Sequence, residues 1–66
     1  MNIGDIIKSL RLENKMTQTE LASLLFTSQD TISLWERNKS LPDVKSVIKM
    51  SQLFNVTTDY ILGVEK

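Results

Sequence analysis

Apolar residues return along this chain at three- and four-residue intervals, the spacing of helices, and no stretch alternates with the period of two that a strand requires. Ile3, Ile7 and Leu10 form the first stripe, with Ile6 at its edge. They predict a helix over residues 3–14, capped by Asn2, with Asp5 in the first turn where a carboxylate suits the helix dipole. Gly4 also falls in that first turn, where its low helix propensity costs least. Asn14 or Lys15 supplies a left-handed end, and Met16 packs inward just before the next start signal.

That next signal opens TQTELASLLFTSQDTISLWE, residues 17–36. Thr17 and Glu20 have the spacing of a capping box, and Leu21, Ala22 and Leu25 follow on one helical face. Ser28 begins a second short helix whose inward residues are Ile32 and Trp35. Two helices this short and this close must cross steeply, and Ala22 is the small residue that leaves room for the crossing. This is the build of a helix-turn-helix, whose second helix can enter a DNA groove.

Asn38 is a suitable end for that helix, and Lys39-Ser40-Leu41-Pro42 reads as a loop in which Pro42 holds Leu41 extended. Pro42 or Asp43 starts a fourth helix, predicted to turn Val44, Val47, Ile48, Ser51 and Phe54 to the core. Asn55 ends it and Val56 tucks in. Thr57 caps a fifth helix of one or two turns, with Asp59 in its first turn, Tyr60, Ile61 and Leu62 as closing apolar contacts, and Gly63 as its stop. The pattern predicts an all-α domain of five helices around one core, covering residues 1–66.

Composition narrows the chemistry. Sixty-six residues make one small domain, and the chain has no cysteine and no histidine, which excludes disulfide frameworks and the common zinc spacings. No apolar run approaches the roughly 20 residues needed to span a bilayer, and the N-terminus lacks a signal-peptide pattern. With no histidine or cysteine pair, no glycine-rich phosphate loop and no carboxylate pair on a cleft, neither a catalytic residue nor a metal or cofactor site is expected. Eight basic residues balance eight acidic ones. Nucleic-acid binding must therefore rest on where charges and amides are placed, not on net charge.

The pieces MTQTELA (16–22), SQDTISLWE (28–36), NKSLPD (38–43) and FNVTTDYILG (54–63), in this order and spacing, span nearly the whole chain. Together they resemble the Cro and lambda-repressor-like, or Xre-like, helix-turn-helix domains of phage and bacterial regulators. The resemblance implies a five-helix fold, a cytoplasmic DNA-binding regulator of the repressor or Cro-like switch kind, and a palindromic double-stranded operator bound by a homodimer. Carried over by position, Gln18 would reach a phosphate and brace the recognition helix, and Gln29 would reach a base edge, where its amide can pair with adenine N6 and N7. Asp30, Ser33 and Leu34 share the outward face as further base contacts. Thr17, Ser28, Thr31, Arg37, Asn38, Lys39 and Ser40 are the expected contacts to the sugar-phosphate backbone. Arg37 and Lys39 would supply local positive charge there, with Asp43, Asp59 and Glu65 largely elsewhere. Arg11 and Glu36 match an ion pair that ties the first helix to the end of the third. Met50, Leu53, Tyr60 and Ile61 are the candidate dimer surface, the domain itself carrying that contact unless the chain belongs to a longer one.

Four residues depart from the family's pattern. Phe26 stands where the turn usually has glycine, and Thr27 where a buried aliphatic is usual. Asp30 puts a carboxylate on the presumed DNA face, able to accept from cytosine N4, and Leu34 could meet a thymine methyl. With the neutral net charge, these residues keep open a second reading: a protein-interaction module, antitoxin-like or binding an anti-repressor or other regulatory protein through the same fold.

Overall fold

The computed structural model describes residues 2–64, which hold five helices and no strand. They are α1 (Ile3–Glu13), α2 (Gln18–Leu24), α3 (Gln29–Glu36), α4 (Val44–Phe54) and α5 (Thr58–Leu62). Each starts at a polar cap whose side chain accepts a backbone N–H three residues on: Asn2, Thr17, Ser28, Asp43 and Thr57. Thr17 and Glu20 complete a reciprocal capping box, Glu20 N–H to Thr17 Oγ1 at 3.1 Å and Thr17 N–H to Glu20 Oε1 at 2.9 Å. Four non-glycine residues turn left-handed just after a helix: Lys15, Phe26, Asn38 and Asn55, with φ between 56° and 59°. Asn tolerates this conformation because its short amide makes local hydrogen bonds.

The core joins Ile6, Ile7 and Leu10 of α1 to Leu21 and Ala22 of α2, Leu25 just beyond it, and Ile32 and Trp35 of α3. Val47, Met50 and Phe54 of α4 and Ile61 of α5 close it from the other side. Ile3, Met16 and Val56 pack against its rim. α3 rests on α1 and α2, while α4 packs mainly on α5. Ile6 is therefore a full core residue, not an edge one.

α4 corrects the sequence reading. Val44 and Ile48 are largely exposed, and the buried row is Val47, Met50 and Phe54. Apolar side chains cover more than half the turn of this helix, so spacing alone fits two faces about a hundred degrees apart. Burial also corrects the candidate dimer surface. Met50 and Ile61 are both 0% exposed and cannot form a docking face, whereas Leu53 and Tyr60 remain partly open at 37% and 40%. In α5, Ile61 alone of the three expected closing residues is buried, with Tyr60 and Leu62 outside.

Candidate nucleic-acid interface

The outward surface of α2 and α3 is set by two converging helix starts and one constrained turn. Leu25 caps the C-terminal end of α2, and Phe26 reverses the chain with φ 57°. Thr27 N–H returns to the Ala22 carbonyl at 2.9 Å, and Ser28 caps α3 through Thr31 N–H at 3.2 Å. The turn thus keeps its left-handed geometry without glycine. Phe26 lies 90% exposed, so its ring packs on little that would offset the strain.

Behind this surface runs a continuous polar chain. Arg11 and Glu36 are buried and paired in two parallel contacts, Nε to Oε2 at 2.6 Å and Nη2 to Oε1 at 3.1 Å, a fork that suits guanidinium and carboxylate. Arg11 Nη1 also donates to the Met16 carbonyl at 2.8 Å, fastening the α1–α2 link. Glu36 Oε1 accepts a second hydrogen bond, from Gln18 Nε2 at 3.0 Å. Gln18 Oε1 accepts in turn from Gln29 Nε2 at 2.5 Å. The expected ion pair, the expected phosphate-contacting Gln18 and the expected base-reading Gln29 therefore belong to one network. The bond from Gln18 to Glu36 gives the expected brace on α3 its partner, which the resemblance had left unnamed.

A second lock sits at the far end of α3. The side-chain Oδ1 of Asn38 accepts from Gly4 N–H at 3.1 Å, an otherwise unpaired donor of the first turn of α1. A Cβ on Gly4 would come within 2.3 Å of the Trp35 carbonyl oxygen and 2.6 Å of Asn38 Oδ1, so α1 approaches this closely only because residue 4 is glycine. With Oδ1 engaged, the Nδ2 group of Asn38 is the part left to face outward, the correct polarity for a phosphate.

The remaining candidates divide. Asp30 is exposed in the first turn of α3, and Leu34 is 38% exposed further along. Thr31 shares its hydroxyl with Ser28 at 2.9 Å. Ser33 is occupied: its hydroxyl and carbonyl accept from Arg37 Nε at 3.2 and 3.3 Å, which also folds Arg37 back on its own helix. The N–H groups of Lys39 and Ser40 close α3 at the Leu34 carbonyl, leaving their side chains exposed. Thr17 is spent on its cap. Asp43, expected away from this face, lines a groove beside it with Thr31 and Leu34, between α3 and α4, because it caps α4 there. Glu65 lies outside the described residues.

Two carboxylates are tuned by caps. The backbone and hydroxyl of Thr17 hold Glu20 below its ordinary 4.5, and Ser46 holds Asp43 below 3.8. Both are thus ionised near neutrality, Glu20 at the α2 start and Asp43 beside Lys45 at the groove. No group of His, Cys, Asp and Glu fit to hold a metal occurs among the described residues, and none of their helices is long and apolar enough to cross a membrane.

A small all-α domain with an interlocked helix pair and an amide-bearing outer face defines a helix-turn-helix module. The chain belongs to the helix-turn-helix family of the lambda-repressor type: the family model HTH_3, "Helix-turn-helix", matches residues 7–61. It is 38% identical over 63 residues to the HTH-type transcriptional regulator ImmR of Bacillus subtilis (strain 168), covering 96% of this chain and 50% of that protein. It is 35% identical over 66 residues to the HTH-type transcriptional activator BcrR of Enterococcus faecalis, covering 100% of this chain and 32% of that protein. The chain thus spans half or less of the length of these two relatives. Its fold superposes with a TM-score of 0.90 on the P22 c2 repressor solved with synthetic operator 9T, at 26% identity, covering 98% of both chains.

Proposed function

We propose that this domain is the sequence-specific, double-stranded-DNA-binding part of a bacterial or phage-encoded transcriptional regulator acting in the cytoplasm. α3 lies in the major groove, with Gln29 as its leading base contact and Asp30 and Leu34 beside it. Gln18, Ser28, Thr31, Asn38, Lys39 and Ser40 follow the phosphate backbone. The observation that carries this reading is the bridged amide pair at the joined starts of α2 and α3, exposed at Gln29 and anchored inward on a buried ion pair. The hydrogen bond from Gln29 to Gln18, which is itself held by Glu36, favours one orientation of the surface amide before any ligand arrives, a pre-organisation that suits base reading. The similarity to a repressor solved on its operator supports the same reading.

The proposed site is a palindrome bound by two copies, their α3 helices roughly 34 Å apart. Leu53 and Tyr60 are the parts of the expected dimer face still open to a second copy. Selection of bound duplexes from a random pool, followed by titration at several salt concentrations, tests the proposal. A two-fold-symmetric site whose affinity falls steeply with salt is expected. Failure to enrich any sequence, or binding indifferent to salt, overturns it.

A further inference from the structure

The groove between α3 and α4 gathers apolar side chains that the domain leaves exposed. Phe26 lines it at the turn, 90% exposed with φ 57°, so the chain carries backbone strain there without burying the ring. Leu34 of α3, Leu41 of the loop after α3 and Ile48 of α4 line it too, all exposed. Scattered apolar residues on a surface need no explanation, but a contiguous apolar groove marks a place that another molecule occupies. The rim of this groove is basic. Lys45, Ile48, Lys49 and Gln52 lie on one face of α4, at i, i+3, i+4 and i+7. Among the described residues, the titratable groups lining the groove are Lys45, Lys49 and Asp43, and Asp43 already accepts from Ser46 N–H at 3.1 Å.

We propose that this groove docks an acidic amphipathic helix of a partner protein, and that the docked helix excludes the operator. Charge and polarity sort the occupants. A second copy docked face to face would set one lysine rim against the other. DNA would satisfy the lysines, but its major groove offers only thymine methyls to Phe26, Leu41 and Ile48. A helix with an apolar ridge and carboxylates on its flank meets both demands: the ridge lies between α3 and α4, and its Asp or Glu side chains meet Lys45 and Lys49. Such a helix covers Thr31, Leu34 and Ser40, which also line the groove and are proposed to touch DNA, so partner and duplex compete for one face. The exclusion rests on the proposed DNA-binding role, whereas the docking stands without it.

The test uses the full chain and a displayed library of helical peptides of about 18 residues, with a fixed apolar ridge and flanking positions drawn from Glu, Gln and Lys. Selection on the wild type is expected to enrich Glu on the flank, and selection on the Lys45→Glu, Lys49→Glu double variant to enrich Lys instead. Leu41→Ser and Ile48→Gln should each weaken the peptide selected on the wild type by roughly tenfold and leave operator affinity within about twofold, with thermal melts confirming the fold. Gln29→Ala should do the reverse, weakening the operator and sparing the peptide. Added peptide should displace a selected operator duplex. Failure to enrich any peptide, the same flank preference on both proteins, or a peptide indifferent to Leu41→Ser and Ile48→Gln overturns the docking. Self-association of the chain that Ile48→Gln abolishes also overturns it, by making the occupant a second copy, and a roughly tenfold loss of operator affinity in Ile48→Gln does so by making it DNA. If the peptide binds the groove and a bound operator stays in place, the exclusion is overturned and the docking stands. If the chain selects no duplex at all, the DNA-binding role and the exclusion fail together, and the peptide results alone decide the docking.

Discussion

The two flanks of α3 are held by different means. On the side facing α1 and α2, polar groups lock it: Arg11 to Glu36, Gln18 to Glu36 and Gln29, and Asn38 to Gly4. On the side facing α4, a groove lies open, with Phe26, Leu34, Leu41 and Ile48 exposed along it and Lys45, Lys49 and Asp43 at its edge. Hydrogen bonds are directional and apolar contacts are not, so the first flank fixes the orientation of α3 while the second leaves space beside it. Gln29, the proposed base contact, belongs to the locked flank. Of the four residues that depart from the family's pattern, Phe26, Thr27 and Leu34 line the open one, and Asp30 does not.

The locked flank is where substitutions should cost most. Arg11→Met strands the Glu36 carboxylate in a buried position, and a loss of about 3–5 kcal/mol is expected in chemical denaturation. Arg11→Met combined with Glu36→Leu should recover much of that loss, because no charge is then left without a partner. Equal destabilisation by the single and double variants would contradict the assignment of the cost to the unpaired charge.

Gly4→Ala comes next. Its added Cβ meets backbone and the Asn38 amide, neither of which can swing away cheaply, and forcing α1 outward should cost about 1–3 kcal/mol. A thermal melt that does not move would show that α1 is not seated as closely as the Gly4–Asn38 contact requires.

Thr17→Ala removes the α2 cap and should cost about 1 kcal/mol at neutral pH. Part of this depends on pH. Glu20 is held below 4.5 by Thr17 when folded, so its contribution is complete above about pH 4.5 and is lost as pH falls through its depressed folded value. The gap between wild type and variant should therefore narrow in acid, and a gap that widens below pH 4 would reverse the assigned sign.

The open flank carries the smallest effect, with the opposite sign. Phe26→Gly relieves a left-handed backbone at the expense of unfolded-state entropy, and a gain of about 0.5–1 kcal/mol is expected. Destabilisation by Phe26→Gly would mean that the exposed ring packs against something when the chain is free in solution.

Much of this architecture was written in local signals. Five polar caps, the Thr17–Glu20 spacing and the stripes of α1, α2 and α3 lie within a few residues of what they control, so periodicity and capping rules reach them. α4 was less legible, because its apolar residues outnumber the places that its core face can hold, and the packing of α5 decides which are buried. The Asn38–Gly4 lock was not legible, and the Gln18–Glu36 bond was legible only as the brace of the recognition helix that the resemblance implied, with its partner unspecified. Both join residues distant along the chain, and their meaning lies in donor and acceptor geometry that exists only after folding. Asn38 looked like a helix end facing DNA, yet half of its amide fastens α1. Nothing local in the sequence tells that α4 begins beside the outer face of α3, which is what brings Asp43 to the groove.

The proposed base reading by α3 depends most directly on Gln29. The affinities of wild type and Gln29→Ala should be compared on the selected operator and on a scrambled duplex of equal length, at one salt concentration. The prediction is a loss of roughly tenfold or more on the operator with nearly unchanged binding to the scrambled duplex. Equal losses on both duplexes, or no loss on either, would contradict it.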